Sequence, residues 1–333
     1  MIRKLQNRRK FCISLGTSLI ATLNIRKPIF AATKIESNSS NKNEMIGSIS
    51  HVLTRKQDTL LDIARNNNLG FVELLAANPR VDPWLPGNRT KLILPNAHIL
   101  PSGPREGLLL NLIDQRLYYF PKFSTKIKSY PIGTGQDAWD TPHGTTKVIK
   151  KVRNPTWYVP ESIRKEQPEL PAVFKPGPDN PLGKHAMYLG WPSYLIHGTN
   201  NPWGVGRRVS HGCIRMYPEA IEELFPKIPI GTAVTVVSQE MKIAWVGPQL
   251  MVEIHPNLTQ NIEIERGKNP TPAPISEMSY RVFKAAGENS RLIDWKKLKQ
   301  AARERSGIPV TVLNLSEHSN RGEGSEDKPA PRL

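Results

Sequence analysis

"IHGTNNPWGVGRRVSHGCIRM", Ile196 to Met216, sets two histidines, four glycines and a cysteine within twenty-one residues. Cys213 is one of only two cysteines in the 333-residue chain; the other, Cys12, lies near the start. A thiol with a pKa of about 8.5 is mostly protonated at neutral pH, so a nucleophilic cysteine needs an imidazole to take its proton or stabilise the thiolate. His211, two residues before Cys213, shares its face if the segment is extended. His197 ends the separate apolar run "SYLIHG", sixteen residues upstream. It is the better base by architecture, with a carbonyl such as that of Gly198 to orient its other ring nitrogen. Gly212 lets backbone approach a substrate, and the amides around Gly212 and Cys213 suit an oxyanion hole. Arg215, alternate to Cys213, is either a binder of a substrate carboxylate and brace for the loop, or a surface ion-pair partner. Two further readings compete with the nucleophile: a buried structural thiol, and a zinc site on His197, His211 and Cys213. The zinc reading lacks a local fourth ligand and fits no standard finger spacing.

Toward the N-terminus, residues 1–32 read as an export signal. Five basic residues within Arg3–Lys10 precede a mostly apolar stretch from Phe11 to Ile25, and Ala31 and Ala32 close the segment. Fifteen residues fall short of the roughly 20 needed to cross a bilayer as a helix, which favours a cleaved signal over an uncleaved anchor. "RRKF", Arg8 to Phe11, resembles a twin-arginine signature. Cleavage would remove Cys12 and leave Cys213 as an odd thiol in an oxidising compartment, either inert or kept for reactivity. The whole chain carries a net charge of +17; without the seven basic residues of the signal, 39 basic stand against 29 acidic. Such a balance suits an anionic polymer or membrane surface. The absence of zinc-finger cysteines, an RNP pattern or a basic-aromatic stripe argues against nucleic acid.

Residues 33–48, rich in Ser and Asn, read as a linker. From 49 to 97 the periodicity predicts strand, helix, helix and strand, with Leu60, Leu61, Ile63 and Ala64 on the first helix and a Pro86-Gly87 turn before "KLIL". From 104 to 239 short alternating runs separated by Gly and Pro predict a mostly antiparallel β domain. One helix interrupts it, opened by Pro218 at its first turn. Residues 240–315 hold an apolar stretch and two amphipathic helix candidates, and residues 316–333 read as a disordered tail. The irregular segment from Val152 to Lys184 precedes the histidine strand and is either a lid or a surface loop.

The 196–216 signature resembles that of the L,D-transpeptidases with the YkuD-type catalytic domain: His197-Gly198, a spacer, then Ser210-His211-Gly212-Cys213 and Arg215. "YPIGTG" (130–135), "TPHGTTKV" (141–148), "NPTW" (154–157) and "LGKHAMYLG" (182–190) agree with it. The resemblance spans about 105–239. It implies a mainly β, sandwich- or barrel-like catalytic domain with one or two short helices, and no cofactor or metal. Cys213 is implied as nucleophile and His197 as base, with Gly198, His211 and Gly212 orienting groups and Ser210 and Arg215 binding substrate. The implied substrate is a peptidoglycan stem tetrapeptide: D-alanine leaves, a thioester forms, and an amine resolves it into a 3-to-3 cross-link. Acylation by carbapenems is implied too. Residues 49–97 resemble a lysin motif (LysM), the small α+β sugar-binding module of wall proteins, through "DTLLDIA", "ELLAANP" and "LPG…KLILP". With an α/β C-terminal extension, this arrangement resembles the ErfK-type branch, where a lysine of an outer-membrane lipoprotein is the alternative acceptor. The expectation is a periplasmic, wall-associated enzyme. A cysteine hydrolase of L,D-carboxypeptidase type and a non-catalytic wall-binding protein remain alternatives.

Overall fold

The computed structural model describes residues 44–136 and 140–319. The export-signal segment, most of the expected linker and the tail beyond 319 lie outside the described residues. The first ordered elements form a small layer: β1 (Met45–Ile46), β2 (Ile49–Leu53), α1 (Leu60–Asn66), α2 (Phe71–Ala77), β3 (Lys91–Pro95) and β4 (His98–Ile99). β2 and β3 pair antiparallel, and β1 pairs with β4. The linker reading of residues 33–48 therefore runs too far, because Met45 and Ile46 already pair with Ile99 and His98. Thr59 caps α1 by accepting the Asp62 N–H, and the Glu73 carboxylate accepts the Gly70 N–H at the start of α2. Leu60, Ala64, Leu69 and Leu74 are fully buried between these helices and the strand pair.

The next region is a nine-stranded sheet: β5 (Gly107–Asn111), β6 (Arg116–Phe120), β7 (Lys128–Gly135), β8 (Gly144–Arg153), β11 (His185–Leu189), β12 (Leu195–His197), β13 (Arg208–Ser210), β14 (Ile214–Met216) and β15 (Ala233–Val237). Its order is β13-β7-β14-β12-β11-β8-β15-β5-β6, and a further β6–β7 pairing closes it on itself. Three of its pairings are parallel, β12–β14, β13–β7 and β15–β5, within an otherwise antiparallel ring. Alternation along the strands puts Leu108, Ile132, Ile214 and Val234 in the interior, and α4 (Pro218–Leu224) adds Ile221 and Leu224 to the same core. The segment 152–184 carries structure of its own: β9 (Trp157–Tyr158) and β10 (Val173–Phe174) form a two-stranded ribbon around α3 (Glu161–Glu166).

Beyond the ring, β16 (Met241–Val246), β17 (Gln249–Ile254) and β18 (Val310–Asn314) make a three-stranded sheet. α5 (Leu258–Glu265), α6 (Met278–Ala286) and α7 (Trp295–Glu304) lie in the connection from β17 to β18. The tail reading of 316–333 starts too early: α8 (Leu315–Ser319) continues from β18, with the Asn314 side chain accepting the Ser316 N–H. All described residues fall in one compact unit.

The three regions meet at a buried charged seam. Lys242 of β16 places its ammonium 2.8 Å from Asp114 Oδ2 and 2.7 Å from Glu253 Oε1, and Arg116 lies 2.7 Å from Glu73 of α2. Asp114, Glu253 and His255 together have the ligand spacing of a cation site, but the Lys242 ammonium already supplies that positive charge. Burial pushes the Asp114 and Glu253 carboxyls up, and the Lys242 ammonium overrides it and holds both below their usual range. Among the described residues, no helix is long and apolar enough to cross a membrane.

Candidate active site

Strand register assembles the site. β12 and β14 run parallel, with Ile196 opposite Ile214 and His197 opposite Arg215. Side chains alternate along strands, so Cys213, two residues before Arg215, faces the same side. Cys213, His197 and Arg215 line one cleft of about 400 Å³, together with Ser210 and His211.

His197 is almost fully buried, and its Nδ1 lies 2.6 Å from the Gly198 carbonyl oxygen. The N–H donated there leaves Nε2 as the basic nitrogen. Burial first, and then the Arg215 guanidinium, push the His197 pKa down to about 3. Burial pushes the Cys213 thiol up, partly countered by the Leu195 backbone and by Arg215. The resting pair is therefore neutral thiol and neutral imidazole. The sulfur lies 3.4 Å from the Ser193 carbonyl oxygen, which accepts the S–H.

The turn before Cys213 is fixed on both sides. Gly212 has φ +93°, a conformation that side-chain-bearing residues rarely adopt. The Ser210 hydroxyl donates to the Cys213 carbonyl at 2.6 Å, and the Thr141 hydroxyl donates to the Gly212 carbonyl at 2.9 Å. These bonds hold the Gly212–Cys213 backbone rigid, as preorganised donors to an oxyanion require. Ser210 is 1% exposed and serves as a turn brace within the cleft. His211 also lines the cleft, but its Nε2 lies 3.1 Å from Glu166 Oε2 on α3. It thus links the cysteine turn to the ribbon above it.

That ribbon supplies a wall: Trp157, Tyr158 and Ile163 face the cleft, and Trp157 stacks on Phe174 at 5.5 Å. Sequence reading quoted "NPTW" and "TPHGTTKV" without assigning Trp157 or Thr141 a place. Tyr188 and Ser193 likewise stand inside the quoted "LGKHAMYLG" and "SYLIHG" with no role given them, and Glu166 was missed altogether. Ser193 takes φ +69° beside the thiol, and no local residue pattern announces it.

Behind the cleft, the Gly204–Gly206 segment passes close to two neighbours. A Cβ on Gly204 would stand 3.1 Å from Arg215 Nη1. A Cβ on Gly206 would stand 2.2 Å from the Phe71 backbone nitrogen, and the Gly206 carbonyl accepts the Val72 N–H. The loop that leads to Cys213 thus abuts the start of α2 backbone to backbone.

The ring and its cleft are what the family model described as the L,D-transpeptidase catalytic domain, YkuD, matches, over residues 105–236. The chain is 38% identical over 272 residues to the probable L,D-transpeptidase YcfS of Escherichia coli K12, covering 79% of this chain and 82% of that protein. It is 38% identical over 256 residues to the probable L,D-transpeptidase YbiS of the same strain, covering 75% and 81%. The solved catalytic domain of the E. faecium L,D-transpeptidase aligns at 23% identity with a TM-score of 0.33, covering 41% of this chain and 99% of that one. The chain belongs to the L,D-transpeptidase family and is an ErfK-like member of it. It is an enzyme that acts on peptidoglycan.

Proposed function

We propose that Cys213 is the nucleophile of an exported transpeptidase that cleaves the bond between the diamino acid and D-alanine of a stem tetrapeptide and passes the acyl group to an amine. The observation that supports this reading is the parallel β12–β14 register, which pairs His197 with Arg215, two residues along from Cys213 in the same cleft, with His197 Nδ1 committed to Gly198. Cys213 Sγ attacks the carbonyl carbon while His197 Nε2 takes the thiol proton. The Gly212 and Cys213 amides receive the oxyanion. The carbon–nitrogen bond breaks, His197 returns the proton to the leaving D-alanine amine, and a thioester remains. An acceptor amine then attacks, its proton passes to His197, and the thiol is released. Arg215 binds a carboxylate of the stem.

The ribbon of Trp157, Tyr158 and α3 shields the thioester from water, which an amine transfer requires. Residues 49–97 act as a LysM-type glycan-binding module, and the protein works in the periplasm. The acceptor is a second stem, giving a 3-to-3 cross-link, or a lysine of an outer-membrane lipoprotein. The same thiol takes up carbapenems.

The test uses residues 33–333, reduced and mixed with disaccharide-tetrapeptides, with products followed by mass spectrometry beside Cys213→Ala. D-alanine loss with dimer formation, absent in the variant, is the expected result. Tripeptide monomers alone would point to hydrolysis or to a missing protein acceptor, and product formation independent of Cys213 would end the proposal.

A further inference from the structure

The C-terminal region presents an outer surface that the catalytic reading does not use. α6 and α7 lie on one face of the β16–β17–β18 sheet, because Val282 and Ala286 of α6 and Leu298 and Ala301 of α7 share one core with Met241, Val252 and Val312. Their opposite faces therefore look outward together. The outward face of α6 carries Tyr280 and Phe283, 59% and 53% exposed, and Trp295, at the first turn of α7 on the edge that flanks Leu298, is 37% exposed. Lys284, Lys296 and Lys299 are exposed in the same helices. Between Met278 and Glu304 the sequence has seven basic residues against three acidic ones.

Large aromatics on a protein surface usually turn inward; three exposed on two helices that cover one core, with exposed lysines in the same helices, give this layer a definite surface chemistry. An interface that accepts aromatic bodies at headgroup depth and lysine heads at anionic phosphates matches both components. A linear polyanion would use the lysines and leave the aromatics idle. We propose that the outer face of α6 and α7 docks on an anionic lipid bilayer, which holds the enzyme at a membrane surface while its cleft works on the wall.

The experiment is co-sedimentation of residues 33–333 with vesicles of phosphatidylcholine alone or with 30% phosphatidylglycerol. Binding should require the anionic lipid and weaken as salt rises. Tyr280→Ser/Phe283→Ser/Trp295→Ser should cut the bound fraction about tenfold, and Lys284→Glu/Lys296→Glu/Lys299→Glu should abolish it. Both variants should keep the parent thermal transition and its D-alanine release from soluble fragments. Equal binding by parent and variants, or equal binding to neutral vesicles, would overturn the proposal. So would loss of binding to isolated wall sacculi in place of vesicles.

Discussion

At the level of single residues, the chemistry rests on how two groups share one pocket. With His197 held neutral down to about pH 3, the acid side of the free enzyme's pH profile is not set by this imidazole in the usual range near 6.5. The same depression has a stability consequence. Between about pH 6.5 and 3 the unfolded chain binds a proton at His197 that the folded chain refuses, so folding stability falls as pH drops through that window, by up to about 1.4 kcal/mol per pH unit. His197→Gln should flatten that share of the slope in chemical denaturation, while reducing transpeptidation about 10²- to 10⁴-fold. Arg215→Gln removes a cation from beside both groups, so the thiol pKa rises further and that of His197 comes back up. The midpoint of iodoacetamide labelling against pH should move upward; an unchanged midpoint would deny Arg215 its electrostatic share. Cys213, His197 and Arg215 were legible because a thiol, a base and a cation at strand spacing form a chemical pattern in the sequence itself. Ser193 was not, because a carbonyl oxygen belongs to every residue and only the fold brings this one to the sulfur.

Among the elements, the ribbon β9–β10 with α3 is the piece that walls the cleft. A half-exposed contact ties it to the cysteine turn: Glu166 on His211, of the kind worth about 0.2–1 kcal/mol. Glu166→Ala should therefore leave the melting temperature within error, raise KM several-fold and speed hydrogen exchange across residues 157–166. Unchanged exchange there would show that the stacked Trp157 and Phe174 suffice without the tether. The short alternating runs expected between 104 and 239 appear as strands because the alternation is written into the sequence. β13 and β14 were not read as strands, being three residues long and set among glycines, where no period can establish itself. α3 and α5 escaped for a related reason. α3 has six residues, and α5 is mostly polar, so its capping pair Asn257 and Gln260 is a stronger sign of it than its hydrophobic face.

For the molecule as a whole, the charged seam dictates how the regions come apart. Lys242 is fully buried between two carboxylates, and removing one partner of a buried cluster costs about 3–5 kcal/mol because the remainder is left uncompensated. Lys242→Met should lower the melting temperature by roughly 10 °C in a single calorimetric transition; two resolved transitions would mean that the regions unfold independently. The depressed pKa values of Asp114 and Glu253 contribute stability that is present above the usual carboxylate range and is lost as pH falls through their folded values. None of this was visible in the sequence, where Glu73, Asp114, Lys242 and Glu253 stand far apart and look like ordinary surface charges. The close approach of Gly206 to Gly70 and Phe71 adds a historical consequence. Two glycines, one in each region, are needed at once for the loop behind Cys213 to sit where it does. Recombination that exchanged the first hundred residues for an unrelated adaptor would strip the loop that leads to Cys213 of its backing.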